Sequence, residues 1–252
     1  MNILLTNDDG IRAPGLRALA DAFTAAGHRV YICAPDRERS AASHSGTFQR
    51  ALRADPVDYP GAEAAWASDG TPSDCASLGL FLAGRAAKIN LAVSGINRGM
   101  NMGGACVYSG TVAAAMEAAM AGVQALSASL CIDPWEPEEE DYTAAARAVL
   151  RVAEWIPAHP LPLGAMYNLN VPALPYEALK GIVPATLAPV FLDPPSFAPT
   201  PDGGWRYSGV PGRYDDPAYD TTLAERGYCP LTKLTWDMRL NAADGELGEI
   251  GL

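Results

Sequence analysis

The sequence predicts an α/β protein built on a doubly wound, mostly parallel sheet with helices on both faces. Short apolar runs suited to strands buried on both sides alternate with helical segments over residues 1–172. Polar, glycine-bearing loops follow those runs, which is where a parallel sheet gathers its ligand-binding groups. With 252 residues, 49% hydrophobic and 19% charged, the chain has the length and composition of one large folded core.

The elements follow in order. Residues 2–6, NILLT, form the first strand, and residues 14–26 place Leu16, Leu19, Ala20 and Phe23 on one helical face. Gly27 closes that helix and Val30 to Ala34 returns as a strand, completing a βαβ unit. A helix is predicted over 74–84, a strand over 89–95, a helix over 111–122, and then the strand QALSASL. DPWEPEEED, residues 133–141, is a solvated acidic connection to a helix over 141–156, and MYNLNVP, residues 166–172, is the last core strand. Residues 173–217 are dense in Pro, Gly and Tyr without sustained periodicity. The expected division is therefore a core over 1–172 with a C-terminal arm and closing segment over 173–252 that engages a partner, its aromatic residues packing against a neighbouring subunit.

Composition excludes several classes. A net charge of −11 and a pI near 4.6 oppose holding a nucleic-acid duplex by its phosphates. No apolar stretch approaches the ~20 residues of a membrane helix, and MNILLT is strand-like rather than a signal peptide, so the expected compartment is the cytoplasm. The five cysteines are scattered without a CxxC pair and are expected as buried or half-buried free thiols.

Chemistry concentrates at three strand ends. Asp8 and Asp9 are adjacent like charges directly after the first strand, and an Asx turn or helix cap would use only one of them. APDRERSAASHSG, residues 34–46, crowds hydroxyls, charges and His44 into a second loop. SGINRGMNMGGACVYSGT, residues 94–111, offers asparagines, glycines and a Ser-Gly-Thr entry into a helix, a ready anion site. There is no GxGxxG, P-loop, GxSxG or zinc motif. Together the loops present carboxylate, hydroxyl and amide oxygens, a hard-oxygen set suited to Mg²⁺, Mn²⁺ or Ca²⁺, and a cation beside helix-end amides suits phosphate-ester hydrolysis.

In order and spacing, ILLTNDDGIRAPG, APDRERSAASHSGTF, GTPSDC, VSGINRGMNMGGACVYSGTVAAAMEAAMAG and NLNVP resemble the SurE family of stationary-phase survival proteins. The resemblance implies a Rossmann-like three-layer α/β/α fold. It also implies a phosphatase acting on nucleoside 5′- and 3′-monophosphates and on short polyphosphate, with one divalent cation per subunit, in a homodimer or homotetramer that exchanges its C-terminal arm. It places the metal ligands on Asp8, Asp9, Ser40 and Asn97, and the phosphate-lining residues on Asn101, Ser109, Gly110 and Thr111. Asp8 or Asp9 would take a proton from the attacking water; direct attack by a carboxylate, giving an aspartyl-phosphate, and a binding protein without turnover are the alternatives. His44 is a candidate proton donor to the leaving oxygen, and Glu117 in the alanine-rich helix is expected to be structural. The chain departs from the family near its end: GYCPLTKL, 227–234, puts Pro230 and Lys233 where the family usually has Ser and Pro, and AYD keeps only Asp220 of the usual GTD. These changes are expected to bear on the substrate-side wall, the nucleobase preference and subunit exchange, and to leave the metal site untouched.

Overall fold

A computed structural model of the chain describes residues 1–132, 140–189, 196–208 and 215–237. Most of the acidic connection (133–139) and, from the C-terminal arm, 190–195, 209–214 and 238–252 lie outside the described residues.

The predicted alternation holds. The strand β1 (Asn2–Thr6) leads into α1 (Pro14–Ala25) and back through β2 (Arg29–Pro35). Gly27 ends α1 as expected: His28 N–H donates to the Phe23 carbonyl and Gly27 N–H to that of Thr24, the two bonds of a helix-terminating Schellman turn. The sequence did not signal β3 (Ala54–Pro56) and β4 (Ala64–Ser68), a short edge pair. Helix α2 (Pro72–Gly84) starts two residues earlier than predicted, because Thr71 and Asp74 form a reciprocal capping box with Pro72 at the first turn. Strand β5 (Leu91–Arg98) runs three residues further than predicted, since after an irregularity Asn97 and Arg98 still pair with Ser129 and Leu130 of β6 (Gln124–Cys131). Between them lies α3 (Gly110–Met120), and α4 (Thr143–Trp155) precedes β7 (Ala165–Pro172). The C-terminal region adds β8 (Ile182–Pro184), a hairpin of β9 (Phe197–Pro199) and β10 (Trp205–Tyr207), α5 (Asp220–Glu225) and β11 (Cys229–Thr235).

Among the described residues the main sheet has nine strands in the order β3-β4-β2-β1-β5-β6-β7-β11-β8. From β4 to β7 all neighbours are parallel; β3 and β11 join antiparallel. The chain therefore winds outward in both directions from β1, and the crevice at its switch point opens between the carboxyl ends of β1 and β5. Strand alternation divides the core: Ile3 and Leu5 pack with α1 and α4, whereas Leu4 packs with α2 and α3. Each fully buried leucine contributes roughly 1.5–3 kcal/mol. β11 places the end of the described chain inside the same sheet as residues 1–172. All five cysteines are free, four buried and Cys131 half-buried, as expected.

A polar row crosses this sheet below the carboxyl ends. Thr6 pairs with Ser94, Ser94 with Ser127, Ser127 with Asn168 and Asn168 with Thr232, all buried. One step above it, Ser129 and Asn170 moor the loop after β5. Asn101 N–H donates to Asn170 Oδ1 (2.9 Å) and its side-chain amide to Ser129 Oγ (2.8 Å), while its carbonyl accepts from Asn168 and Asn170 (3.0 and 2.9 Å). Asn170→Ala strands the buried Asn101 amide, so we expect a loss of about 1–3 kcal/mol in urea denaturation; parent-like stability would refute this role for the amide network.

Candidate active site

Asn7 builds the turn that presents the two carboxylates. It is fully buried, and its side chain both donates to the Gly10 carbonyl (3.0 Å) and accepts the Gly10 N–H (3.1 Å). Gly10 adopts φ +104°, and a Cβ there would stand 3.1 Å from the Arg37 carbonyl carbon, so a side chain is disfavoured both by conformation and by space. Ile11 N–H to Pro35 O (2.8 Å) and Arg39 N–H to Asp8 O (2.7 Å) then lay the 36–40 loop against the turn.

Asp8 is 4% exposed. Its Oδ1 accepts the Thr111 hydroxyl, and the Thr111 backbone N–H adds a second donor from the first turn of α3. A Cβ on Gly110 would come within 2.9 Å of Asp8 Oδ2, so the glycine lets the helix end close on the carboxylate. Burial raises the Asp8 carboxyl above its ordinary range, and the Thr111 donors only partly offset this. Asp9 is pushed up to about 7, by burial first and the Asp8 charge second, although the Arg98 N–H donates to its Oδ2 (3.2 Å). Glu38 adds negative charge to both. The nearby Arg98 guanidinium is held by Glu140 (Nε to Oε1, 2.7 Å), leaving the carboxylate pair poorly compensated.

The structure brings together only part of the predicted set. Asn97 joins the cluster: its Oδ1 lies 3.3 Å from Thr111 Oγ1, and its amide nitrogen is turned away to the Gly99 carbonyl (2.8 Å). Ser40 is exposed, adjacent through the Arg39 backbone, with its hydroxyl on Glu38 Oε1 (2.7 Å). Ser109 caps α3, its Oγ accepting the Val112 N–H (3.1 Å). Asn101 is occupied in mooring its loop. His44 Nε2 is 2.9 Å from Glu117 Oε2, and Ser77 Oγ donates to the other Glu117 oxygen (2.7 Å). Glu117, expected to be structural, thus orients His44, and the hydrogen bonds from His44 and Ser77 hold the Glu117 carboxyl below its usual range. Among the described residues no three His, Cys, Asp or Glu side chains form a metal cluster, so any cation site here draws on amide and hydroxyl oxygens beside Asp8 and Asp9.

Sequence reasoning missed Asn7, Glu38 and the mooring asparagines. The signal for the last was present: NLN and SAS put polar residues at i and i+2, on one face of otherwise apolar strands. It also missed how Asp220 acts. This carboxylate is fully buried and accepts the Gly103 N–H (2.8 Å) and the Ala188 N–H (3.0 Å), tying the C-terminal region to the glycine-rich loop. Of the two late departures, Lys233 pairs with Tyr167 near the amino end of β7, away from the carboxyl ends that carry Asp8. That placement corrects the expectation that it bears on the substrate-side wall.

Comparison with known proteins bears on this arrangement. The family model described as survival protein SurE matches residues 3–190. A 5′-nucleotidase SurE of Synechococcus sp. (strain JA-3-3Ab) is 38% identical over 259 residues, covering 100% of this chain and 98% of the relative. That of Geotalea daltonii is 46% identical over 180 residues, covering 71% and 69%. The crystal structure of the SurE protein from Aquifex aeolicus matches with a TM-score of 0.81 at 30% identity, over 95% of both chains. The chain belongs to the SurE family.

Proposed function

We propose that the protein is a metal-dependent phosphatase that hydrolyses nucleoside 5′-monophosphates, with 3′-monophosphates and short polyphosphate as further substrates. The observation that carries this is the buried, poorly compensated Asp8–Asp9 pair at the switch point, set against the amino end of α3. The name 5′-nucleotidase borne by the relatives supports the same conclusion.

The donor set fits one Mg²⁺ or Mn²⁺ per subunit: Asp8, Asp9 and the Asn97 carbonyl oxygen would hold it, with Ser40 reaching it by turning its hydroxyl from Glu38. When bound, the cation supplies positive charge to a phosphoryl oxygen and acidifies water. The chain's own groups do the rest. The Gly110 end of α3 presents its dipole to the phosphate. Asp9, less enclosed than Asp8, is placed to accept the proton of the attacking water. Asp8 is poorly placed for direct attack, since one oxygen is engaged by Thr111 and the other is the one left to hold the cation; this favours water over an aspartyl-phosphate. His44, oriented by Glu117, is the group we assign to protonating the leaving oxygen.

We assign the arm over 173–252 to self-association as a homodimer or homotetramer. Support comes from the β9–β10 hairpin, where Phe197, Trp205 and Tyr207 are each more than half exposed. Five free thiols favour a reducing compartment, the cytoplasm, and no helix among the described residues is long and apolar enough to cross a membrane.

The decisive assay is phosphate release from nucleoside 5′- and 3′-monophosphates with Mn²⁺, Mg²⁺ or chelator. Chelator should abolish release and Asp9→Asn should lower kcat by about 100-fold or more; a folded variant at full rate removes Asp9 from the chemistry. A second expectation concerns stability without metal. Because the folded state raises the Asp9 pKa to about 7, it binds the proton more tightly than the unfolded chain, and stability falls as pH rises from about 4 through 7. Asp9→Asn should therefore stabilise the metal-free protein at pH 8 by on the order of 1–3 kcal/mol, with the gain vanishing near pH 4. Calorimetric melting at both pH values checks this, and an equal gain at pH 4 and pH 8 would contradict it.

A further inference from the structure

A cavity of about 680 Å³ lies on the α4 side of the sheet, where α4, β7, β8 and β11 meet. Tyr167, the third residue of β7, and Lys233, its partner on β11, place it near the amino ends of the parallel strands, the opposite end from Asp8 and Asp9. Its volume falls in the range of small-molecule sites, roughly 300–1,000 Å³.

The walls are aromatic and fixed by contacts of their own. Trp155 stacks on His159 with ring centroids 3.8 Å apart and planes 11° from parallel, and meets Tyr167 edge-on at 5.5 Å. The Tyr167 hydroxyl donates to the His159 carbonyl (2.9 Å). Ile182 and Leu231 supply the apolar wall, and two cations, Arg151 and Lys233, complete the lining. Arg151 stands one helical turn before Trp155. Among the described residues Arg17, Arg29, Arg50, Arg98 and Arg147 are taken up in ion pairs, whereas Arg12, Arg53, Arg85, Lys88 and Lys180 are not, so what sets Arg151 and Lys233 apart is the aromatic cavity they share. Arg151 and Lys233 make no ion pair among the described residues. Two unpaired cations beside aromatic walls in an acidic protein complement a ligand with a flat ring and a negative group.

We infer that this cavity is a second binding site, distinct from the phosphatase centre, for a small aromatic anion. Its ring lies along Trp155 and Tyr167 and its phosphate, sulfonate or carboxylate lies between Arg151 and Lys233. The inference does not rest on the enzymatic reading, because the test measures binding alone.

The probe is 8-anilinonaphthalene-1-sulfonate, titrated by fluorescence against the full chain, against Lys233→Glu and against Arg151→Glu, with melting curves to confirm that each variant folds. Sedimentation velocity is run on the same samples, and adenosine and adenosine 5′-monophosphate serve as competitors. The expected result is one saturable site per chain, a dissociation constant raised about tenfold in either charge reversal, and displacement by the monophosphate at concentrations where adenosine has no effect. Equal affinity in the parent and both folded variants would overturn the inference. So would a parent dimer that excludes the probe and that Lys233→Glu dissociates, since the occupant would then be a second copy of the chain.

Discussion

The site depends on the burial of one carboxylate, Asp8, against the amino end of α3. Removing a carboxylate from water costs several kcal/mol unless donors or opposite charge replace the solvent. Here Thr111 brings two donors, the helix brings its dipole, and Gly110 brings the absence of a Cβ, without which the approach would be blocked. The same constraint accounts for the cap. Ser109 satisfies the Val112 N–H as Asp would, yet adds no third negative charge, and the first turn of α3 contains no acidic residue. What these donors leave uncompensated falls on Asp9, which burial first and the charge of its neighbour second push up to about 7.

Polar bonds rather than apolar packing hold the surrounding loop. Buried amides fix a backbone in direction as well as distance, which suits a glycine-rich segment with few side chains to pack. Asn168, Asn170 and Ser129 grip Asn101 from below, while Asp220 grips Gly103 from the far end of the chain. Asp220 lies beyond residue 190, where the family match ends, so the geometry beside the candidate site is set in part by a segment outside that span.

What was legible in the sequence follows from how local its causes are. β1, α1 and Gly27 were readable because periodicity and a capping glycine act within a few residues. β3, β8 and β11 were not, because two are three-residue strands and all three contain proline; they exist through the pairing partners that tertiary structure supplies. The Asp8–Asp9 pair announced itself by adjacency at a strand end. Its partners did not, since Thr111 stands 103 residues away and the Arg98 amide 89. Ser40 and Asn101 matched the family pattern by position, while the hydroxyl of one and the amide of the other were found engaged with Glu38 and Ser129, contacts that spacing does not encode.

The cost of the site and its selectivity share one origin. With both carboxylates ionised, the folded chain carries repulsion that neither Thr111 nor the Arg98 amide offsets, so any species bringing positive charge to this crevice is bound by energy the fold has already spent. A carboxyl pushed up to about 7 would be returned to its ionised form by such a species, and proton release around neutral pH would accompany its binding. The hard divalent cation proposed above would meet that demand better than a lysine, because the oxygens of Asp8, Asp9 and Asn97 could share its charge. The preference proposed for such a cation would thus rest on the fold, which holds two adjacent acids together at one strand end.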